Sequence, residues 1–444
     1  LTLSSTAFEK TLLMSSSVEP TAPVSLALSH RAELAQGAAI GKLMRQALQY
    51  PDLISLAAGF VDNATLPCEA VSRSLDRIAA DPSRMRTALQ YDASAGSKST
   101  RECVAEWSYQ NYPGVCPSPE RIVLSAGSNQ LLHLLSEVVL DPGDIVIVAE
   151  PTYFVYLGTI KGIGARAVGV AADEDGMCID ALEQTLAKLA SEGQAQRVKV
   201  IYTVTEFDNP AGSTLSLERR HRLLEIVARW RKEHSPLLIF SDNAYQLLRY
   251  SGASLPPLLA LENEARDFVV ELGTFSKCFS TGIRVGWGVL PDELVPAVLD
   301  MKSNIDFGSP HFSQVIVEEA VRSGEVDNHL PIIRESYSQK LDVMLEALEM
   351  EFAGVPGVRW RQPHGGLYVW LEMPEEIATG EDSLYLQACL HLGVIYVPGH
   401  HCYPRDSRAP LNTIRLSFGV QCESGIRKGI ALMRKAFDQI KAKV

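Results

Sequence analysis

Four segments carry residues whose types and spacing could do chemistry. Gly273-Thr274-Phe275-Ser276-Lys277 follows the apolar run Phe268 to Leu272, and Gly282-Ile283-Arg284-Val285-Gly286 comes shortly after it. A lysine set between Phe275 and Phe279 is expected to be partly desolvated, which disfavours the ammonium form and leaves an amine nucleophilic toward an aldehyde. Two hydroxyls, Thr274 and Ser276, and Arg284 seven residues past the lysine can together hold a phosphate dianion. Ser241-Asp242-Asn243-Ala244-Tyr245 follows a second apolar run, Leu237 to Phe240. An acid there can keep a pyridine nitrogen protonated, and the tyrosine can hydrogen-bond a phenolate oxygen; alone, Asp242 reads as well as a helix N-cap. Asp208-Asn209-Pro210-Ala211-Gly212 ends a third run, where an Asn-Pro turn is the plain reading. The fourth, Ser125 to Gln130, opens a helix whose free N–H groups make an anion site at Ser128 and Asn129.

The elements that must position these residues alternate. Strand-length runs occur at Ile122 to Leu124, Asp144 to Val148, Val198 to Val204, Leu237 to Phe240, Phe268 to Leu272 and Val285 to Leu290. Helical stretches such as Ser216 to His234 lie between them, with Leu223, Leu224, Ile226 and Val227 at helical spacing. That alternation predicts an α/β fold, an open sheet with helices on both faces. Ligands bind past the carboxyl ends of such strands, so the four segments share one sheet edge. After about Phe312 the texture changes to a helical stretch from His311 to Glu351, a strand at Gly365 to Leu371, a helix from Ser383 to Leu392, a strand at Thr413 to Phe418 and a last helix. This predicts a smaller α+β domain over residues 313–444, a large domain over 61–312, and an N-terminal arm over 1–60 that joins the small domain.

Composition narrows the function. Apolar residues make up 46% and charged residues 21% of the 444, enough for a large core. With 41 Lys+Arg against 53 Asp+Glu, a formal charge of -12 argues against nucleic acid or anionic lipid as the main partner. No run approaches the ~20 apolar residues of a membrane span, and no basic region precedes a long apolar one near the N-terminus, so a cytoplasmic location is expected. The eight cysteines include no CxxC pair and read as reduced thiols, with Cys278 as packing. His400 and His401 are adjacent, and neighbours at i,i+1 are expected to diverge; they read as loop residues, and no metal site is expected. His364-Gly365-Gly366 reads as a tight strand entry.

Taken together, the segments resemble the fold-type I, class I/II aminotransferases that use pyridoxal 5'-phosphate, over about Ile54 to Phe418 and closest to the branch with aminoadipate and aromatic aminotransferases. The family's S/T-x-S-K block matches Thr274 to Lys277, its later arginine Arg284, its aspartate-x-x-tyrosine Asp242 and Tyr245, and its Asn-Pro Asn209 and Pro210. Pro151-Thr152-Tyr153 is similar to the segment whose tyrosine stacks on the cofactor ring. Gln90 to Gly96 resembles the one whose tyrosine, here Tyr91, reaches the phosphate of the neighbouring subunit. Arg415 matches the arginine that grips the substrate α-carboxylate, and Gly59 sits where a backbone group completes that site.

The resemblance implies a mostly parallel seven-stranded sheet, a homodimer, and transfer of an amino group from an amino acid to a 2-oxo acid. Lys277 would form the Schiff base and move the proton, Asp242 would hold the ring protonated, and Tyr245 and Asn209 would bond the ring oxygen. Ser128, Asn129, Thr274, Ser276 and Arg284 would anchor the phosphate. A lyase, decarboxylase or C–C bond-forming enzyme would use the same lysine and acid. A ligand-sensing regulator would need a basic DNA-binding module, and the ~50 residues before Pro51 are insufficiently basic for one. Two departures fall near the substrate: Asp208-Asn209-Pro210-Ala211-Gly212 for the usual Gln-Asn-Pro-Thr-Gly, and Gly59-Phe60 for Gly-Gly. Phe60, Tyr153, Phe154 and Tyr156 are expected as pocket walls, and the acids Asp208 and Asp306 either stand near the ring or turn outward into solvent. Without a second arginine fork, apolar, aromatic or amine-bearing donors are expected to exceed aspartate; the cations that could alter this are Arg31 and Arg45.

Overall fold

The computed structural model describes residues 27–35 and 53–442. An eight-stranded sheet forms its centre, in the order Ile122–Ser125, Gly286–Val289, Val269–Thr274, Leu238–Asp242, Val198–Val204, Ile145–Glu150, Arg166–Asp173 and Gly176–Met177. The five strands from Val269–Thr274 to Arg166–Asp173 pair in parallel. Gly286–Val289 runs antiparallel to both its neighbours. Ile122–Ser125 therefore points the same way as the parallel set, and Ser125, Glu150, Val204, Asp242 and Thr274 all end on one edge. Seven strands are expected from the resemblance; the eighth is the two-residue Gly176–Met177, which folds back on Arg166–Asp173.

β-Branched side chains explain why the middle strands are central. Ile145, Val146, Ile147 and Val148 are buried on both faces, as strands covered by helices on either side require. The helix Leu217–Glu233 starts at Ser216, whose Oγ accepts from Arg219 N, and it buries Leu223, Leu224, Ile226, Val227 and Trp230. Each such side chain contributes about 1.5–3 kcal/mol relative to exposure. Ser128–Val139 does the same with Leu131, Leu132, Leu134 and Leu135.

A second sheet of four antiparallel strands, Arg359–Trp360, Tyr368–Glu372, Thr413–Ser417 and Val397–Pro398, lies beyond. Ile54–Ser55 pairs in parallel with Val394–Ile395, tying the early chain to this C-terminal half. The single helical stretch expected from His311 to Glu351 is two helices, His311–Arg322 and Glu325–Phe352. They break at Gly324, whose φ of 75° is cheap only for glycine. Among the described residues no helix is long and apolar enough to cross a membrane.

One close approach joins sheet to site. A Cβ added to Gly286 would lie 2.5 Å from Gly127 C and closer still to Ser128 N. Glycine there lets the helix that begins at Ser128 start directly over the strand edge.

Candidate active site

A cavity of about 400 Å³ opens at that edge, and eleven of the thirteen residues singled out above for cofactor, substrate or chemistry line it. At one end are Ser128 and Asn129, the first two residues of the helix Ser128–Val139, with Thr274, Ser276 and Arg284. Thr274 Oγ1 caps the short helix Phe275–Cys278 by accepting from Ser276 N at 3.1 Å. Arg284 Nη1 donates to Ser276 Oγ at 3.0 Å and to Thr281 O at 3.1 Å, and Nη2 donates to Ala126 O at 3.3 Å. Its own φ is 56°, a left-handed conformation that a long side chain adopts only when its surroundings hold it there. A guanidinium, two hydroxyls and a helix N-terminus thus converge, a donor set made for a phosphate dianion.

Lys277 occupies the middle. Its Nζ donates to Gly59 O at 2.9 Å and stands 5.8 Å from the centre of the Tyr245 ring. Burial lowers its proton affinity, opposed by Tyr368 and reinforced by Arg415 and Arg284. Asp242 ends its strand fully buried; Tyr202 donates to its Oδ2 at 3.0 Å and Ala244 N to its Oδ1 at 3.2 Å. Burial raises its pKa, while those two donors pull it back, and a cation beside it would favour the ionised form further. Tyr153 and the half-exposed Phe60 complete the walls.

Arg415 lies at the other end, on Thr413–Ser417 and 2% exposed. Nη1 donates to Asn209 Oδ1 at 2.9 Å and Nη2 to Ala57 O at 2.6 Å, while Nε has no hydrogen-bond partner. The guanidinium lies over Tyr368 and Phe154, 4.4 and 5.3 Å from the ring centres. Asn209 rather than Arg415 forms the cavity wall; the arginine stands directly behind it. Asn209 Nδ2 reaches the Tyr245 hydroxyl at 3.5 Å, and that hydroxyl is 3.1 Å from the Tyr368 hydroxyl.

Several expectations fail on geometry. Tyr156 is no pocket wall: it is fully buried, 3.1 Å from Ser136 Oγ and packed on Tyr202 at 4.3 Å. Asp208 does not face the cavity but is buried in its turn. Asp306 turns to Lys302 Nζ (2.8 Å) and to Gln130 Nε2 (2.9 Å). His400 and His401 do not diverge. The 3₁₀ turn Gly399–Cys402 brings their ring centres within 4.2 Å at a tilt of 42°, and their Nε2 atoms face the two oxygens of Glu381 at 3.1 and 2.7 Å. Arg31 pairs with Glu137, and Arg45 lies outside the described residues. Tyr91, expected to serve the neighbouring subunit rather than its own, is 78% exposed, edge-on to Phe307, and outside this chain's cavity, which does not conflict with that expectation. Two site residues have no sequence signal: Tyr202 and Tyr368 sit in apolar strands and read there as core.

These residues fit pyridoxal 5'-phosphate: a phosphate cradle, a part-buried amine, a buried acid, and an arginine with an uncommitted N–H behind Asn209. Comparison with known proteins agrees. Residues 51–423 match the family model for aminotransferase class I and II. The chain is 38% identical over 380 residues to an aromatic-amino-acid aminotransferase of Thermococcus litoralis, covering 85% of this chain and 86% of the relative. It is 31% identical over 398 residues to a 2-aminoadipate transaminase of Thermus thermophilus, covering 89% and 93%. The crystal structure of Pyrococcus horikoshii kynurenine aminotransferase, in complex with PMP and kynurenine, superposes with a TM-score of 0.84 at 33% identity, over 93% of this chain and 97% of that one. The chain belongs to the class I and II aminotransferases. It is a pyridoxal-phosphate-dependent transaminase, an enzyme that moves an amino group between amino acids and 2-oxo acids.

Asp208 supplies a pH prediction. Burial, chiefly, pushes its carboxyl from 3.8 up to about 8, with Arg361 and the Ala211 N–H opposing and Asp242 adding to the rise. The folded chain holds a proton there that the unfolded chain releases near its ordinary value. The stability it contributes is therefore full below about pH 4 and is lost as pH rises toward about 8. Asp208→Asn should lose less stability than wild type between about pH 5 and 8, measured by urea midpoints at both; equal losses would contradict this.

Proposed function

We propose that Lys277 is the residue that links to the cofactor and moves the proton in transamination, the observation carrying it being its part-buried amine in one cavity with Asp242 and the Arg284 cradle. When bound, pyridoxal phosphate supplies an aldehyde that condenses with amines and a ring that accepts the electron pair left at Cα. Ser128, Asn129, Thr274, Ser276 and Arg284 hold the phosphate and so fix where the reacting carbon lies. Asp242 keeps the ring nitrogen protonated, and Tyr202 holds the acid in place. Tyr153 packs on the ring plane, and Asn209 and Tyr245 bond the ring oxygen. Arg415 receives the substrate α-carboxylate through its fork, with the Gly59 backbone beside it. The Lys277 amine, which would hold the cofactor through its aldehyde, would when free serve as the base that moves the substrate Cα proton.

The donor class follows from the walls. Phe60, Leu132, Tyr153 and Val204 line the cavity, and its only cations among the described residues are Lys277 and Arg284; both are already assigned. We therefore assign an amino acid with an apolar or aromatic side chain as the preferred donor, a reading supported by a relative that acts on aromatic amino acids. The division into an arm with part of the small domain (1–60), a large domain (61–312) and a small domain (313–444) belongs to the same proposal, as does a cytoplasmic location. So does a homodimer: Leu89, Tyr91, Ile305 and Phe307 are all more than half exposed, and the Ser94–Ser303 bond of 2.9 Å and the Tyr91–Phe307 contact put their segments together. A second copy covering this strip would bring Tyr91 to the other cavity.

Three outcomes are expected. Asp242→Asn should keep the cofactor bound yet slow turnover by roughly two orders of magnitude or more, because a neutral amide cannot hold the ring cation; near-normal kcat would defeat the assignment. The kcat/KM ratio of phenylalanine to aspartate should exceed one, whereas a tenfold aspartate preference, about 1.4 kcal/mol, would overturn the donor reading. Sedimentation at assay concentration should show a dimer; a fully active monomer would rule it out.

A further inference from the structure

Tyr368 opposes the fall in the proton affinity of Lys277 but binds neither cofactor nor substrate in the roles assigned above, and its hydroxyl is placed with care. It begins the strand Tyr368–Glu372, opposite Ser417, and is 2% exposed. Its hydroxyl lies 3.1 Å from that of Tyr245, with the two rings edge-on at 5.7 Å and 77°. The space for it depends on Gly59, where an added Cβ would come within 2.7 Å of the Tyr368 oxygen. Arg415 covers the Tyr368 ring at 4.4 Å, which fixes the ring independently of the hydroxyl.

Two hydroxyls at hydrogen-bond distance share one proton, so one is the donor and the other keeps its proton for a different acceptor. If Tyr245 gave its proton to Tyr368, Tyr245 would have none left to donate to the cofactor's ring oxygen. The opposite polarity satisfies both groups. Tyr368 donates to Tyr245, and Tyr245 donates onward. Bonds in series polarise one another, and the burial of both hydroxyls amplifies the effect.

We propose that Tyr368 is a positioning residue: its hydroxyl donates to Tyr245 and so strengthens the hydrogen bond that Tyr245 gives to the ring oxygen of the cofactor. The proposal rests on the assignment of Tyr245 to that oxygen. A stronger bond there stabilises negative charge on the oxygen, so the proton shared by the ring oxygen and the neighbouring nitrogen is held less tightly. Removing the Tyr368 hydroxyl should have the reverse effect.

The test is a spectrophotometric pH titration of the visible band of the cofactor-loaded enzyme, for wild type, Tyr368→Phe, Tyr245→Phe and the double variant. Tyr368→Phe keeps the ring under Arg415, so folding and donor KM should stay within about twofold while the titration midpoint rises by roughly 0.3 unit or more. In the Tyr245→Phe background the same change should move the midpoint no further, because the effect has lost its carrier. An unmoved midpoint in Tyr368→Phe overturns the proposal, as does an undiminished shift without Tyr245. Failure of the underlying assignment looks different: Tyr245→Phe alone would then leave the midpoint where it was, and the proposal would fall with it.

Discussion

Setting a part-buried amine and a buried carboxylic acid in one cleft is the constraint on which the rest of this structure depends. Ionised groups are costly in such surroundings, so each needs either a partner or a shifted proton equilibrium. Lys277 has its proton affinity lowered, and Asp242 is held by the Tyr202 hydroxyl and the Ala244 N–H. A group that binds here carrying an aldehyde, a basic ring nitrogen and a phosphate offers something to each of these sites. The protein spends folding stability on the cleft and recovers it in reactivity and binding.

The parallel sheet makes that concentration possible. Because Val269–Thr274, Leu238–Asp242 and Val198–Val204 all run the same way, residues far apart in the chain finish at one edge. Glycines then remove what would keep the parts apart: Gly286 lets the Ser128 helix start over the strand, and Gly59 leaves room for the Tyr368 hydroxyl. Arg284 accepts a left-handed backbone to reach Ser276 and Ala126. The small sheet closes the far end with Arg415 and Tyr368, on adjacent antiparallel strands.

Much of this was legible in the sequence because the chemistry sits next to strong strand signals. Lys277, Asp242, Asn209 and Ser128 each follow an apolar run, so their common edge could be inferred before any coordinates. What was not legible depends on facing direction. Tyr156 and Tyr153 look equivalent in a string of aromatics, but one turn of helix sends Tyr156 inward to Ser136 and Tyr202. Asp306 reads as a free acid until the helix Leu294–Asp306 places Lys302 one turn before it. Adjacent histidines diverge on ordinary helices and strands, but the 3₁₀ turn at Gly399–Cys402 brings them both to Glu381, a residue with no local sequence signal.

The central claim is that Lys277 is the amine that bonds the cofactor, and reductive trapping tests it most directly. Borohydride treatment of the cofactor-loaded enzyme, followed by peptide mass mapping, should place the phosphopyridoxyl adduct on Lys277, and Lys277→Ala should fold, lose the visible band and yield no adduct. An adduct on another lysine of the wild-type chain, or a borohydride-reducible adduct that persists in Lys277→Ala, would contradict the account.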